Sequence, residues 1–333
     1  MGRWIEVGDR AWARRHAELD LTLGLVVGDR ACLVIDTGAD EGQGAAFAAA
    51  VRELTDLPWS VVLTHAHFDH CFGTAAFGEC PVWAHPGCRA DLAATGEAQR
   101  SAWVEHYRQK GDSEAADRLA RARVVLPDRP VETTAEIDLG GRLVRLAHPG
   151  PGHTGHDLVV HVPDSGLVFA GDLVEQGAPP SFGDAFPLAW PSALDRLLDF
   201  AEPTDRADRL EPTELAELAE LAELAELADR AEPAGRADLA DRADLTDRGD
   251  RAELVEAAYR VYRAELAEPR TVVPGHGEPV DAAFVAAQRA ELAEVAGLCR
   301  AFAAGELTRA EALARSPYPE PFISDALARP VSS

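Results

Sequence analysis

The run His65-Ala66-His67-Phe68-Asp69-His70 places three imidazoles and one carboxylate within six residues. Neutral imidazoles and carboxylates are the side chains that hold zinc and other borderline divalent ions. On a helix, residues 65 and 67 would point about 200° apart and could not meet on one ion. On a loop leaving a strand end they can. The apolar run Trp59-Ser60-Val61-Val62-Leu63 suits a buried strand and stops where the histidines begin. With 11 histidines in 333 residues, such a run is not expected from composition alone.

Three later segments each bring one more ligand type to a strand end or glycine turn. His153 sits in Pro149-Gly150-Pro151-Gly152-His153-Thr154-Gly155-His156-Asp157, whose glycines permit tight turns. Asp172 ends Val168-Phe169-Ala170-Gly171-Asp172, and His276 lies in Val272-Val273-Pro274-Gly275-His276-Gly277. Alone each is a weak signal; together they put a candidate ligand at the mouth of successive strands. His156 fits two readings equally: contact with substrate or the ligand turn, or a structural capping or hydrogen-bonding role. His16, His85, His106, His148 and His161 read as surface or structural residues. Cys71, directly after His70, reads as a packing residue.

The elements needed to position these groups follow from periodicity. Ala11 to Arg14, Leu21 to Val27 and Ala31 to Asp36 are β-prone runs separated by turns, which predicts an antiparallel meander. Asp40 to Leu54 has helical character, Pro81 to His85 suggests another strand, and Cys88 to Arg123 reads as helices. A second strand-rich stretch runs from Thr134 to Gly171. This alternation indicates mixed sheets with helices packed outside.

The order H-x-H-x-D-H, G-H-T-x-G, G-D and P-G-H-G resembles the metallo-β-lactamase superfamily, and Ile35-Asp36-Thr37-Gly38 is similar to that family's first motif. The resemblance implies an α/β fold, an αββα sandwich of two mixed sheets with outer helices and metals at the sheets' edge. It also implies two divalent metal ions, zinc first among them: His65, His67 and His153 on one, Asp69, His70 and His276 on the other, Asp172 bridging, and Asp36 supporting the ligand loop. Such a pair shares a water, lowers its pKa toward neutrality and makes hydroxide the nucleophile. Asp69 and Asp172 are then the catalytic carboxylates, Asp69 also orienting the water or passing on its proton.

Within that family, a bridging Asp172 resembles glyoxalase II, lactonases and phosphodiesterases. A small ester, thioester or lactone is the expected substrate. Phe182, Phe186 and Trp190 follow Asp172 among Gly and Pro, and with His156 they either wall a substrate pocket or anchor the core. Two other function classes stay open. One is a persulfide dioxygenase-like oxidoreductase with a single iron; the other is a non-catalytic protein that binds partners through an acidic repeat.

That repeat spans the stretch from Ala201 to Leu254, where Asp or Glu recurs every third position from 202 to 253 except at Gly235. Its 16 acids against 6 arginines between 202 and 250 supply ten of the 25 net negative charges. A period of three does not match the 3.6 residues of a helical turn, so Leu215, Leu218, Leu221, Leu224 and Leu227 form no single stripe. Ala-Glu-Pro occurs at both 201–203 and 267–269. The expected organisation is one domain, 1–200 with 270–333, interrupted by a helical or partly disordered insert at 201–269. The negative charge disfavours nucleic acid, no apolar run is long enough to span a membrane, and the N-terminal residues match no export signal, so the sequence predicts a soluble, cytoplasmic protein. Five cysteines match no thiolate zinc spacing.

Overall fold

The computed structural model describes residues 2–199 and 271–329. The insert read at 201–269 lies outside the described residues. The first sheet has seven strands in sequence order: β1 (Arg3–Gly8), β2 (Ala11–Arg15), β3 (Thr22–Val27), β4 (Cys32–Ile35), β5 (Trp59–Val62), β6 (Val82–Ala84) and β7 (Arg129–Pro130). Pairing is antiparallel from β1 to β4 and parallel from β4 to β7. The second sheet has five: β8 (Thr134–Asp138), β9 (Leu143–Ala147), β10 (Val159–Val162), β11 (Leu167–Glu175) and β12 (Thr271–His276), in the order β12-β11-β10-β9-β8. Its pairs are antiparallel except β11 with β12.

The unbroken apolar character of the central strands comes from burial on both faces. Successive strand residues point to opposite sides. Leu33 and Ile35 of β4 and Val62 of β5 face Val144, Leu146, Val160 and Phe169 of the second sheet. Cys32, Val34, Val61 and Leu63 point the other way, into a core shared with Phe47, Leu92 and Leu119. Those three come from α1 (Glu41–Leu54), α3 (Pro86–Gln109) and α4 (Ser113–Arg121). Between α1 and α3 lies the short α2 (Phe68–Cys71). The two sheets approach closely at Gly24, where an added Cβ would stand 2.5 Å from the Phe169 ring.

α5 (Trp190–Asp199) and α6 (Ala282–Ala303) lie beside the second sheet. Arg289 of α6 pairs with both Asp195 oxygens at 2.8 and 2.9 Å. α7 (Arg309–Arg315) and α8 (Glu320–Ala328) complete the described chain. The architecture is thus helices, sheet, sheet, helices, in agreement with the expected αββα sandwich. No helix among the described residues is long and apolar enough to cross a membrane. All five cysteines are free thiols, and Cys71 is buried with its Sγ 3.0 Å from the His67 carbonyl, which makes it a packing residue.

Candidate metal centre

The seven residues singled out for metal binding come together at one end of the sandwich. β5 stops at Val62 and the chain turns through Thr64 into the histidine run. That turn is held by Asp36, just past β4. Asp36 takes the left-handed conformation, φ 57°, which short polar residues tolerate best among non-glycines. Its Oδ1 accepts from the Thr64 N–H, and its Oδ2 from the Thr64 hydroxyl, both at 2.8 Å. Oδ2 also faces His70 Nδ1 at 2.8 Å. The backbone of Ala66 is pinned from both sides, its N–H donating to His156 Nε2 and its carbonyl accepting from Gln99, each at 3.2 Å. His156 therefore braces the ligand turn.

β11 and β12 deliver the rest. Asp172 is buried on β11, and no side chain fits at the adjacent Gly275, because an added Cβ would coincide with the Asp172 carboxylate. His276 ends β12, with its Nδ1 2.8 Å from the Leu19 carbonyl. Ligand atoms of His65, His67, His153 and Asp172 lie within 4.8 Å of one another, as do those of Asp69, His70 and His276.

The hydrogen-bond partners assign the ring tautomers. His70 Nδ1–H serves Asp36, His276 Nδ1–H serves Leu19, and His65 Nδ1–H serves the Thr64 oxygen at 3.0 Å, whose own proton is committed to Asp36. His67 Nε2–H faces Asp184 Oδ2 at 3.0 Å. In its neutral form each of these four rings thus turns a bare nitrogen inward. His67 Nδ1 lies 3.1 Å from His65 Nε2 and 2.9 Å from His153 Nε2; with the protons of His65 and His67 held on their other nitrogens, the first of these contacts sets two lone pairs together, which a cation between them would resolve. Asp172 Oδ1 is fully enclosed without a well-aligned donor, the state expected of a carboxylate oxygen shaped to meet a cation. The donor set of imidazole nitrogen and carboxylate oxygen fits a borderline divalent ion.

Electrostatics differs from ring to ring: burial opposes charge on His67, but Asp184 beside it raises that ring above the usual histidine range. Burial drives His65 well below the usual histidine range and His153 to about 4, so both are neutral donors. Burial opposes charge on His276 as well, but the Asp172 and Asp69 carboxylates overcome it and push His276 up to about 12. They raise His70 in the same direction. The Asp69 and Asp172 carboxylates, now partnered by these protonated rings, would exchange those protons for a cation held there. Glu175, buried beside Asp172, is pushed up to about 8, by burial first and the neighbouring carboxylate second.

Among the residues read as a pocket, only Phe186 is exposed, at 41%. It lies over Gly155 of the His153 loop. Phe182 and Trp190 are buried, and the indole N–H of Trp190 donates to the Leu173 carbonyl at 3.1 Å. Their side chains present no surface to a ligand, so of the two roles open to them, core anchoring is the one observed. Asp184 and Thr64 were not identified from the sequence as supports. Thr64 carried a readable signal, a hydroxyl directly before the histidine run; Asp184 carried none, because its partner is 117 positions away.

The sequence pattern described as the metallo-beta-lactamase superfamily matches residues 22–224, more than half of the chain. The chain belongs to the metallo-beta-lactamase superfamily. Within that superfamily it is similar to the acyl-coenzyme A thioesterase MBLAC2 of Bos taurus and of Homo sapiens, at 29% identity over 183 residues in each case. These matches cover 53% of this chain and 62% of the relatives, so the chain spans less than two thirds of their length. A solved metallo-beta-lactamase from Pontibacter korlensis superposes over 88% of this chain and 99% of its own, with a TM-score of 0.53 and 16% identity. That likeness shows the shared metallo-beta-lactamase fold.

Proposed function

We propose that the chain is a two-metal hydrolase of small carboxylic thioesters, esters or lactones, with thioesters the first substrates to try. The observation that carries the two-metal reading is the position of Asp172. Its Oδ2 lies 3.6 Å from His65 Nε2, 3.4 Å from His153 Nε2 and 3.4 Å from His276 Nε2, while its Oδ1 is 3.1 Å from His70 Nε2. One carboxylate thus stands between both ligand groups. The similarity to acyl-coenzyme A thioesterases favours the thioester.

His65, His67, His153 and Asp172 would hold one ion, and Asp69, His70 and His276 with Asp172 the other. Two zinc ions held there would supply a water acidic enough to ionise near neutral pH and positive charge opposite the developing oxyanion. The protein's own part is placement. Asp36 fixes His70 directly and His65 through Thr64. Substrate enters where the ligands are least covered, since the side chains of His67, His276 and Asp69 are 25%, 17% and 11% exposed. Asp69 is the more exposed of the two candidate ligand carboxylates, placed to orient water for attack on the acyl carbon. Phe186 offers an apolar surface on the same side as the His153 loop, suited to an acyl chain.

The test combines metal content with a substrate panel of acyl thioesters, lactones, phosphodiesters and β-lactams. Two zinc ions per chain and thioester turnover abolished by chelation are expected. One iron per chain with oxygen consumption would replace the proposal with the oxidoreductase alternative, and preferred phosphodiester turnover would reassign the substrate.

A further inference from the structure

The loop between β11 and α5 is fastened at both ends of its working part. Phe182 is buried between Trp190 and Tyr318, with ring centroids 5.5 and 6.1 Å away, and Trp190 in turn meets the His153 ring edge-on at 5.7 Å. Two residues further on, Asp184 reaches His67. The backbone around it is gripped by Arg329, the residue after α8. Arg329 donates to the carbonyls of Ala185, Gly183 and Asp184 at 2.8, 3.2 and 2.9 Å. A planar guanidinium presents its donors in a fixed fork, so three consecutive carbonyls are held in one geometry.

His67 is the ring that needs such help. His65, His70 and His276 have tautomers set by Thr64, Asp36 and the Leu19 carbonyl, whereas the His67 side chain is 25% exposed on a loop. Its outward nitrogen has a single protein partner among the described residues, Asp184 Oδ2 at 3.0 Å. Asp184 is itself 52% exposed, so its hold depends on the loop being held.

We propose that Arg329 and Asp184 act as positioning residues that transmit the seating of α8 to the centre, keeping the His67 proton on Nε2 and its Nδ1 turned toward His65 and His153. The proposal rests on the reading that this group of ligands takes a cation. Loosening the end of α8 frees residues 183–185, releases His67 and lowers cation affinity with every direct ligand still present.

The experiment compares Asp184→Ala, Asp184→Asn and Arg329→Ala with the unaltered chain, each first checked for unchanged thermal unfolding. Zinc affinity is read by chelator competition, and the His67 tautomer by nitrogen NMR of the metal-free protein at alkaline pH. Asp184→Ala is expected to weaken the first zinc by about 10- to 100-fold and to mix the His67 tautomers. Arg329→Ala is expected to move both readouts the same way by less, and Asp184→Asn, whose amide oxygen still accepts the proton, to restore most of both. Unchanged zinc affinity and an unchanged tautomer in Asp184→Ala overturn the proposal. An unaltered chain that binds no zinc defeats the metal reading instead, and the tautomer comparison then decides this proposal alone.

Discussion

Asp36 Oδ2 stands 2.8 Å from His70 Nδ1 and takes the Thr64 hydroxyl proton at the same distance. One carboxylate oxygen thereby fixes a ligand of each proposed ion, His70 by direct contact and His65 through Thr64. Asp36→Ala is expected to weaken zinc binding about 10- to 100-fold at both positions. Thr64→Val, which spares His70, should weaken chiefly the ion held by His65. Stepwise chelator titration of the two variants separates these outcomes; equal losses at both ions in Thr64→Val would refute the division of labour.

Removing Asp172 should do what no other single ligand change does. With its carboxylate gone, both groups lose an oxygen at once, so Asp172→Ala is expected to retain fewer than two ions. Its turnover should fall by more than the roughly 100-fold seen for loss of an outer partner. Metal analysis after dialysis, set beside the rate on an acyl thioester, checks this. A variant that keeps two ions and normal turnover contradicts the bridging role.

The aromatic residues after Asp172 make a paired prediction. Phe182 is buried, so Phe182→Ala should cost about 3–5 kcal/mol in unfolding free energy. Phe186 is exposed, and Phe186→Ala should leave stability within about 0.5 kcal/mol of the original while raising KM for thioesters with an apolar acyl group. Denaturant unfolding and thioester kinetics measure the two effects independently.

A pH effect away from the centre should come from His161 on β10. Burial, with help from Arg145, lowers it to about 4, below the ordinary unfolded value of about 6.5. The folded form therefore resists a proton that the unfolded chain accepts. Its contribution to stability is full above about pH 6.5 and is lost as pH falls toward 4. His16, His153 and His156 are lowered to about 4 in the same way, so His161→Gln should lessen, without abolishing, the fall of the unfolding midpoint across that window. A midpoint that falls as steeply in the variant would assign the acid sensitivity to other groups.

The residues gathered at this candidate centre were legible because they sit at strand ends, where an apolar run followed by His or Asp is visible in a short window. The alternation behind the sandwich was legible for the same reason, since β4 and β5 are apolar on both faces. What the sequence did not show were contacts made by distance. Asp184 meets His67 across 117 positions and Arg329 meets residues 183–185 from the far end of the chain, pairs that no periodicity encodes. Phe182 and Trp190 could wall a pocket or fill a core equally well on paper, and only the packing around Leu173 and Tyr318 chose between them.

The separation of β11 from β12 in the chain also sets a timetable. His65, His67, His153 and Asp172 have all left the ribosome about 100 residues before His276, on the order of 5–20 s at ordinary rates of synthesis. The nascent polypeptide thus carries one four-donor group before the other can close. Order of synthesis by itself would give the first proposed ion an earlier chance to bind than the second, independent of their affinities.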